Sequence, residues 1–93
     1  MTYELMARFD RCKSFYGKAY VTETAESYIL ISYSTEILKV NKADGKITFL
    51  CHSDWAYSQT TNRHINEFLQ QFTNVGKLSK REILNRVHES IKN

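Results

Sequence analysis

The chain reads as an α+β domain: an antiparallel sheet of three to four strands over about residues 14–52, then two helices at about 61–73 and 80–92. Three observations predict this. The apolar period is two up to about residue 58 and close to 3.6 beyond it. Lys42-Ala43-Asp44-Gly45 separates two β-rich runs, and Asp-Gly supplies residues that tolerate the positive φ of a hairpin turn. Ser79-Lys80-Arg81-Glu82 has the spacing of a capping box, in which Ser79 and Glu82 satisfy two orphan N–H groups of an opening helix. No proline and no Gly- or Ser-rich stretch interrupts the 93 residues, so residues 1–93 are expected to form a single domain.

The elements follow in order. Residues 2–9 suit a short helix or an edge strand. In Ser14 to Thr22, Phe15, Gly17, Ala19 and Val21 fall on one face and Tyr16, Lys18, Tyr20 and Thr22 on the other, as in a half-buried strand. Glu23 to Glu26 is polar and short enough for a hairpin connection. Ser27 to Tyr33 is β-branched and aromatic and reads as a central strand. Glu36 to Asn41 and Lys46 to His52 flank the Asp-Gly turn, completing a meander. Thr60 or Thr61 is placed to cap the first helix, whose apolar stripe is Ile65, Phe68, Leu69 and Phe72, and Gly76 is the expected left-handed C-cap. Ile83, Leu84, Val87 and Ile91 form the stripe of the second.

Composition narrows the function classes. Apolar residues make up 42% and charged residues 25%, which excludes a disordered or collagen-like chain. The longest uncharged apolar-rich run, Ser27 to Thr35, is far shorter than the ~20 residues of a membrane span. The N-terminus carries charges where a signal peptide has its apolar core, and Cys12 and Cys51 are too few for a disulfide scaffold. A cytoplasmic protein with free thiols is expected. The formal charge is +3, from 13 basic and 10 acidic residues. Residues 1–60 balance at seven of each, so the excess lies wholly in residues 61–93. A basic surface there favours phosphate or an acidic partner; the alternative is an ordinary solvated helix face.

Catalytic and metal chemistry find no motif. Cys51 and His52 are neighbours on a strand reading, so their side chains point to opposite faces. No CxxC, HxxxH or HExxH spacing occurs among Cys12, Cys51, His52, His64 and His88, and the three glycines are isolated rather than gathered in a phosphate loop. The expectation is a non-enzyme without cofactor or metal.

One segment stands out. Trp55 to Gln71, WAYSQTTNRHINEFLQQ, holds the sole tryptophan, a double threonine, Arg63 and His64 at a helix start, where free N–H groups attract anions. Trp55, Tyr57, Arg63 and His64 are therefore the first candidates for partner binding. The structural alternative is that the threonines cap, Trp55 and Tyr57 pack over the sheet edge and His64 makes one hydrogen bond. Lys80, Arg81 and Arg86, outside the apolar stripe of the second helix, are the second set. Tyr16, Lys18 and Tyr20 on one strand face, with Tyr28 opposite, are a possible stacking face for single-stranded nucleic acid.

Tyr33-Ser34-Thr35, the strand Ile37–Val40 and Trp55-x-x-Ser58-x-Thr60-Thr61-x-Arg63-His64-Ile65-x-Glu67-Phe68-Leu69-x-Gln71 resemble a small family of uncharacterised proteins from phages, prophages and mobile elements of Firmicutes. That family's pattern is an S-Y-x-T-like strand followed by a W-S-x-T-T-x-R-H-I-x-E-F-L-x-Q helix. The likeness spans roughly residues 14–72; Ala56-Tyr57 between Trp55 and Ser58 departs from it, and the basic helix 79–93 is an addition. The resemblance implies no activity. It implies a setting, that of phage accessory proteins, which often act as stoichiometric inhibitors of host or defence complexes, anti-CRISPR proteins among them. The expected partner is a host or defence protein complex; separately, homodimerisation through an uncovered sheet face is the simplest form that protein binding could take. Nucleic acid bound through the basic C-terminal helices is the alternative.

Overall fold

A computed structural model describes the backbone of residues 1–12, 14–52 and 57–91, with side chains through Glu89. The chain forms β1 (Thr2–Glu4), β2 (Ala19–Glu23), β3 (Ser27–Ser32), β4 (Thr35–Asn41), β5 (Ile47–Phe49), α1 (Gln59–Phe72) and α2 (Lys80–Ile91). The five strands pair in sequence order, every pair antiparallel. The α+β architecture expected from the change of period is what the chain adopts. The sheet gains one strand: residues 2–4 form an edge, with Tyr3 opposite Val21.

Alternation along the strands sends Val21, Leu30, Leu38, Val40 and Phe49 to one face, where all are buried. Ile65, Phe68 and Leu69 of α1 and Ile83 and Val87 of α2 close over them, also fully buried. Phe72 is partly buried and stacks on Tyr28, ring centres 4.6 Å apart. Tyr28 thus faces the helices, not Tyr20 as expected, because Tyr28 and Tyr20 pair with residues of opposite parity. Neither helix covers the outer face, which carries Tyr20, Thr22, Ile29, Ile31 and Lys39.

Adjacent Ile37 and Leu38 are both buried, which strict alternation forbids. A bulge reconciles them: Leu30 pairs with Leu38 but Ile31 with Glu36, leaving Ile37 as the extra residue. Its carbonyl accepts from Leu50 N at 2.8 Å and so anchors the chain leaving β5.

The Asp-Gly hairpin forms as expected, with Gly45 at φ +72° and its N–H 2.8 Å from the Asn41 carbonyl. The capping box also forms: Ser79 N donates to Glu82 Oε1 at 3.0 Å and Glu82 N to Ser79 Oγ at 3.2 Å. Ser79→Ala is expected to cost ~1 kcal/mol, read as a drop in thermal midpoint; an unchanged midpoint would show that the box adds nothing to α2.

Two boundaries differ from expectation. Ser58, not Thr60 or Thr61, caps α1, its Oγ accepting from Thr61 N at 3.2 Å. The helix stops at Phe72, where extended Thr73 donates its N–H and hydroxyl to Leu69 O. Gly76, at φ +79°, lies beyond that cap, in the connection to α2. That connection is fixed by Asn66, which donates Nδ2 to Leu78 O at 3.0 Å and accepts from Leu78 N at 2.6 Å.

Candidate functional site

The polar residues of the Trp55–Gln71 motif are mostly occupied inside the fold. Thr61 Oγ1 and His64 Nδ1 both lie on Ser32 Oγ, at 3.1 and 2.9 Å, tying the end of β3 to α1. Glu67, although buried, is fully provided for. Its Oε1 accepts from the backbone N–H of Phe9 at 2.9 Å and of Asp10 at 2.8 Å, and its Oε2 accepts from Gln71 Nε2 at 2.6 Å. Gln71 also donates to Met6 O at 2.7 Å. One face of α1 therefore holds the segment between β1 and β2. Arg63 extends the same grip from the surface, donating Nε to Asp10 Oδ2 at 3.1 Å and Nη2 to Oδ1. This bond holds the Asp10 carboxyl well below the usual carboxylate range.

Three of the four first partner-binding candidates have contacts inside the fold. Tyr57 is buried, against the expectation of a surface residue, and its hydroxyl donates to Cys51 O. His64 is buried as well, edge-on to Phe15 at 4.6 Å. Both follow from position: Tyr57 sits where the chain enters α1 under the sheet edge, and His64 falls beside Ile65 and Phe68 on the inward side of the helix. Arg63 remains exposed but is committed to Asp10. Trp55 lies outside the described residues.

His64 gives the fold an acid limit. Burial, with the Arg63 charge beside it, pushes its imidazole down to about 4 from an ordinary 6.5. The folded state holds the neutral ring, while the unfolded chain takes up the proton near pH 6.5. Its stabilisation is complete above that pH and is lost as pH falls toward 4. Between pH 7 and 5 it removes about 2 kcal/mol. The check is urea unfolding across that interval, above the carboxylate range; His64→Gln should flatten the dependence, and an equally steep profile in the variant would exclude His64 as its source.

The second set, Lys80, Arg81 and Arg86, is exposed on α2. Among the described residues none of the three makes a salt bridge.

The stacking-face residues are placed differently from expectation. Residues 15–18 are a turn, not a strand: Lys18 N donates to Phe15 O at 3.0 Å, and Tyr16 and Gly17 have φ of +51° and +73°. Tyr16 therefore leaves the strand face, whereas Tyr20 stays on the outer face of β2. Tyr33 joins them. It and Ser34, at φ +52° and +76°, are the two residues between β3 and β4. Two successive positive φ values match a type I′ hairpin turn, which ordinarily uses Asn-Gly. The two turns are bonded, Tyr33 N donating to Lys18 O at 2.9 Å. They present Tyr16 at 79% exposure and Tyr33 at 51%, with Tyr20 at 38%. Lys18, Gly17, Tyr20, Ile31, Tyr33 and Ser34 border a shallow cavity of about 390 Å³ between them.

Tyr33 was hidden in the sequence because Tyr-Ser carries no turn signal. The available sign was spacing: a strand pair meeting at residues 32 and 35 leaves room for just two loop residues. Asp10 and Glu67 were hidden because their partners lie more than fifty residues away.

Among the described residues no three His, Cys, Asp or Glu side chains gather as metal ligands, and no helix is long and apolar enough to cross a membrane. A five-stranded meander under two helices, presenting strained aromatic turns at one end, defines a two-layer α+β domain with a candidate binding surface. The chain belongs to a family of unknown function (DUF8033), whose model matches residues 3–85. No curated protein and no solved structure matches it.

Proposed function

We propose that this chain is a non-catalytic binding protein of the phage accessory kind, which blocks a host or defence protein complex, in the manner of an anti-CRISPR inhibitor, by docking its tyrosine turns on it. The observation that carries this is Tyr16 and Tyr33, bulky residues held at positive φ and exposed to solvent. Such backbone costs ~1–3 kcal/mol per residue and gathers at functional positions. Exposed tyrosines beside a lysine match the make-up of interface hot spots. The phage setting rests on the motif resemblance, and the inhibitory role on that setting. This surface adds to Trp55 and Arg63 as a place to look for the partner, whereas Tyr57 and His64 are buried.

The test is capture of a host protein complex by the immobilised chain at micromolar concentration. A complex retained by the natural chain and released by Tyr16→Ala supports the reading; no retention, or retention indifferent to Tyr16 and Tyr33, counts against it. A second reading, nucleic-acid binding through α2, draws on the exposure of Lys80, Arg81 and Arg86. It requires salt-dependent binding of DNA or RNA that charge reversal at these three positions abolishes.

A further inference from the structure

Three cations that the sequence does not group line one cavity in the fold. Between the 9–11 segment and the outer side of α1 lies a cavity of about 450 Å³. Arg11 reaches it from the segment between β1 and β2, Arg63 from α1 and Lys77 from the connection between the helices. Its two carboxylates are already spent. Asp10 is bound to Arg63 and to Cys12 N, and buried Glu67 accepts from Phe9 N, Asp10 N and Gln71. Asp10 leaves Arg63 anchored, with the rest of its five N–H donors still free to serve a ligand. Among the described residues, Arg11 and Lys77 form no salt bridge. Phe9, 57% exposed, stands at the rim with its backbone fixed by Glu67.

We infer that this cavity binds a nucleotide, its phosphate among Arg11, Arg63 and Lys77 and its base against the Phe9 ring. A pre-positioned guanidinium beside two further cations suits a phosphoryl group, and an exposed aromatic ring gives a base a stacking partner. The inference does not rest on the tyrosine turns, which lie elsewhere on the molecule.

The experiment is a ¹⁵N NMR titration of the full chain with adenosine monophosphate, inorganic phosphate, adenosine and a hexathymidylate strand. Adenosine monophosphate should shift the amides of Phe9, Asp10, Arg11 and Lys77, and adenosine should be weaker by about tenfold or more. Phe9→Ala should weaken the nucleotide about fivefold or more and leave inorganic phosphate unchanged. The double reversal Arg11→Glu/Lys77→Glu should abolish both while leaving the thermal midpoint near that of the natural chain, since neither side chain holds the fold. If hexathymidylate shifts the same amides at lower concentration than the mononucleotide, the ligand is a single strand; otherwise it is the free nucleotide. No shift with adenosine monophosphate at about 10 mM would overturn the inference, as would shifts that survive the double reversal.

Discussion

A chain carrying Tyr33→Asn and Ser34→Gly is expected to be more stable than the natural one and to lose its partner. The β3–β4 turn holds both residues at positive φ, where an ordinary side chain crowds the following carbonyl at a cost of ~1–2 kcal/mol each. Asn and Gly tolerate that geometry and are the usual occupants of such a turn. Against the relief stands the loss of the Tyr33 ring, 5.8 Å from His64, and the added freedom of glycine in the unfolded chain. The balance leaves a gain of about 1 kcal/mol, or ~4–8 °C in thermal midpoint for a domain of this size. Binding should fall at the same time, because Tyr33 is half of the presented pair. Stability and binding moving in opposite directions separates a functional residue from a structural one. A variant that melts lower would show that the turn is not strained as its φ values indicate; one that melts higher yet still binds would remove Tyr33 from the interface.

The second large effect is expected at Glu67. Glu67→Ala deprives the N–H groups of Phe9 and Asp10 of their acceptor and Gln71 of its partner, all three held by a carboxylate that is itself buried. Leaving such groups unsatisfied, together with losing bonds to a carboxylate, should cost ~3 kcal/mol or more. Glu67→Gln keeps the shape and the acceptor for the two backbone donors but sets an amide donor against the Gln71 donor, and should cost ~1–2 kcal/mol. Urea unfolding gives the energies, and hydrogen exchange at Phe9 and Asp10 gives the place. Both amides should exchange far faster in Glu67→Ala. A loss under about 1 kcal/mol, or unchanged exchange, would mean that the 6–12 segment is held by something other than this carboxylate.

The same residue shows where reading the sequence stops. The i, i+3, i+4, i+7 stripe of Ile65, Phe68, Leu69 and Phe72 was legible because helix periodicity is local, and so were the Asp-Gly hairpin and the Ser79–Glu82 box. Glu67 falls among those apolar positions and looks like solvated polar filling until the fold brings Phe9 and Asp10 to it. Arg63 and His64 invited a functional reading because charged and titratable side chains at a helix start suit ligands. The fold gives one to Asp10 and buries the other against Ser32 and Phe15. Strand alternation failed at 14–18 for a related reason: a turn that uses Tyr16 in place of the usual Asn before Gly17 mimics a strand in a single sequence.

The amino-acid sequence by itself determined the α+β class, the meander order after its first strand, the two helices and the apolar residues that join the layers. These depend on period, turn chemistry and capping, each of which acts within a few residues. The tertiary structure alone decided which polar residues are interior and which are displayed. A carboxylate, an imidazole or a tyrosine has the same local preferences whether it meets water or a partner fifty residues away, and packing alone supplies that partner.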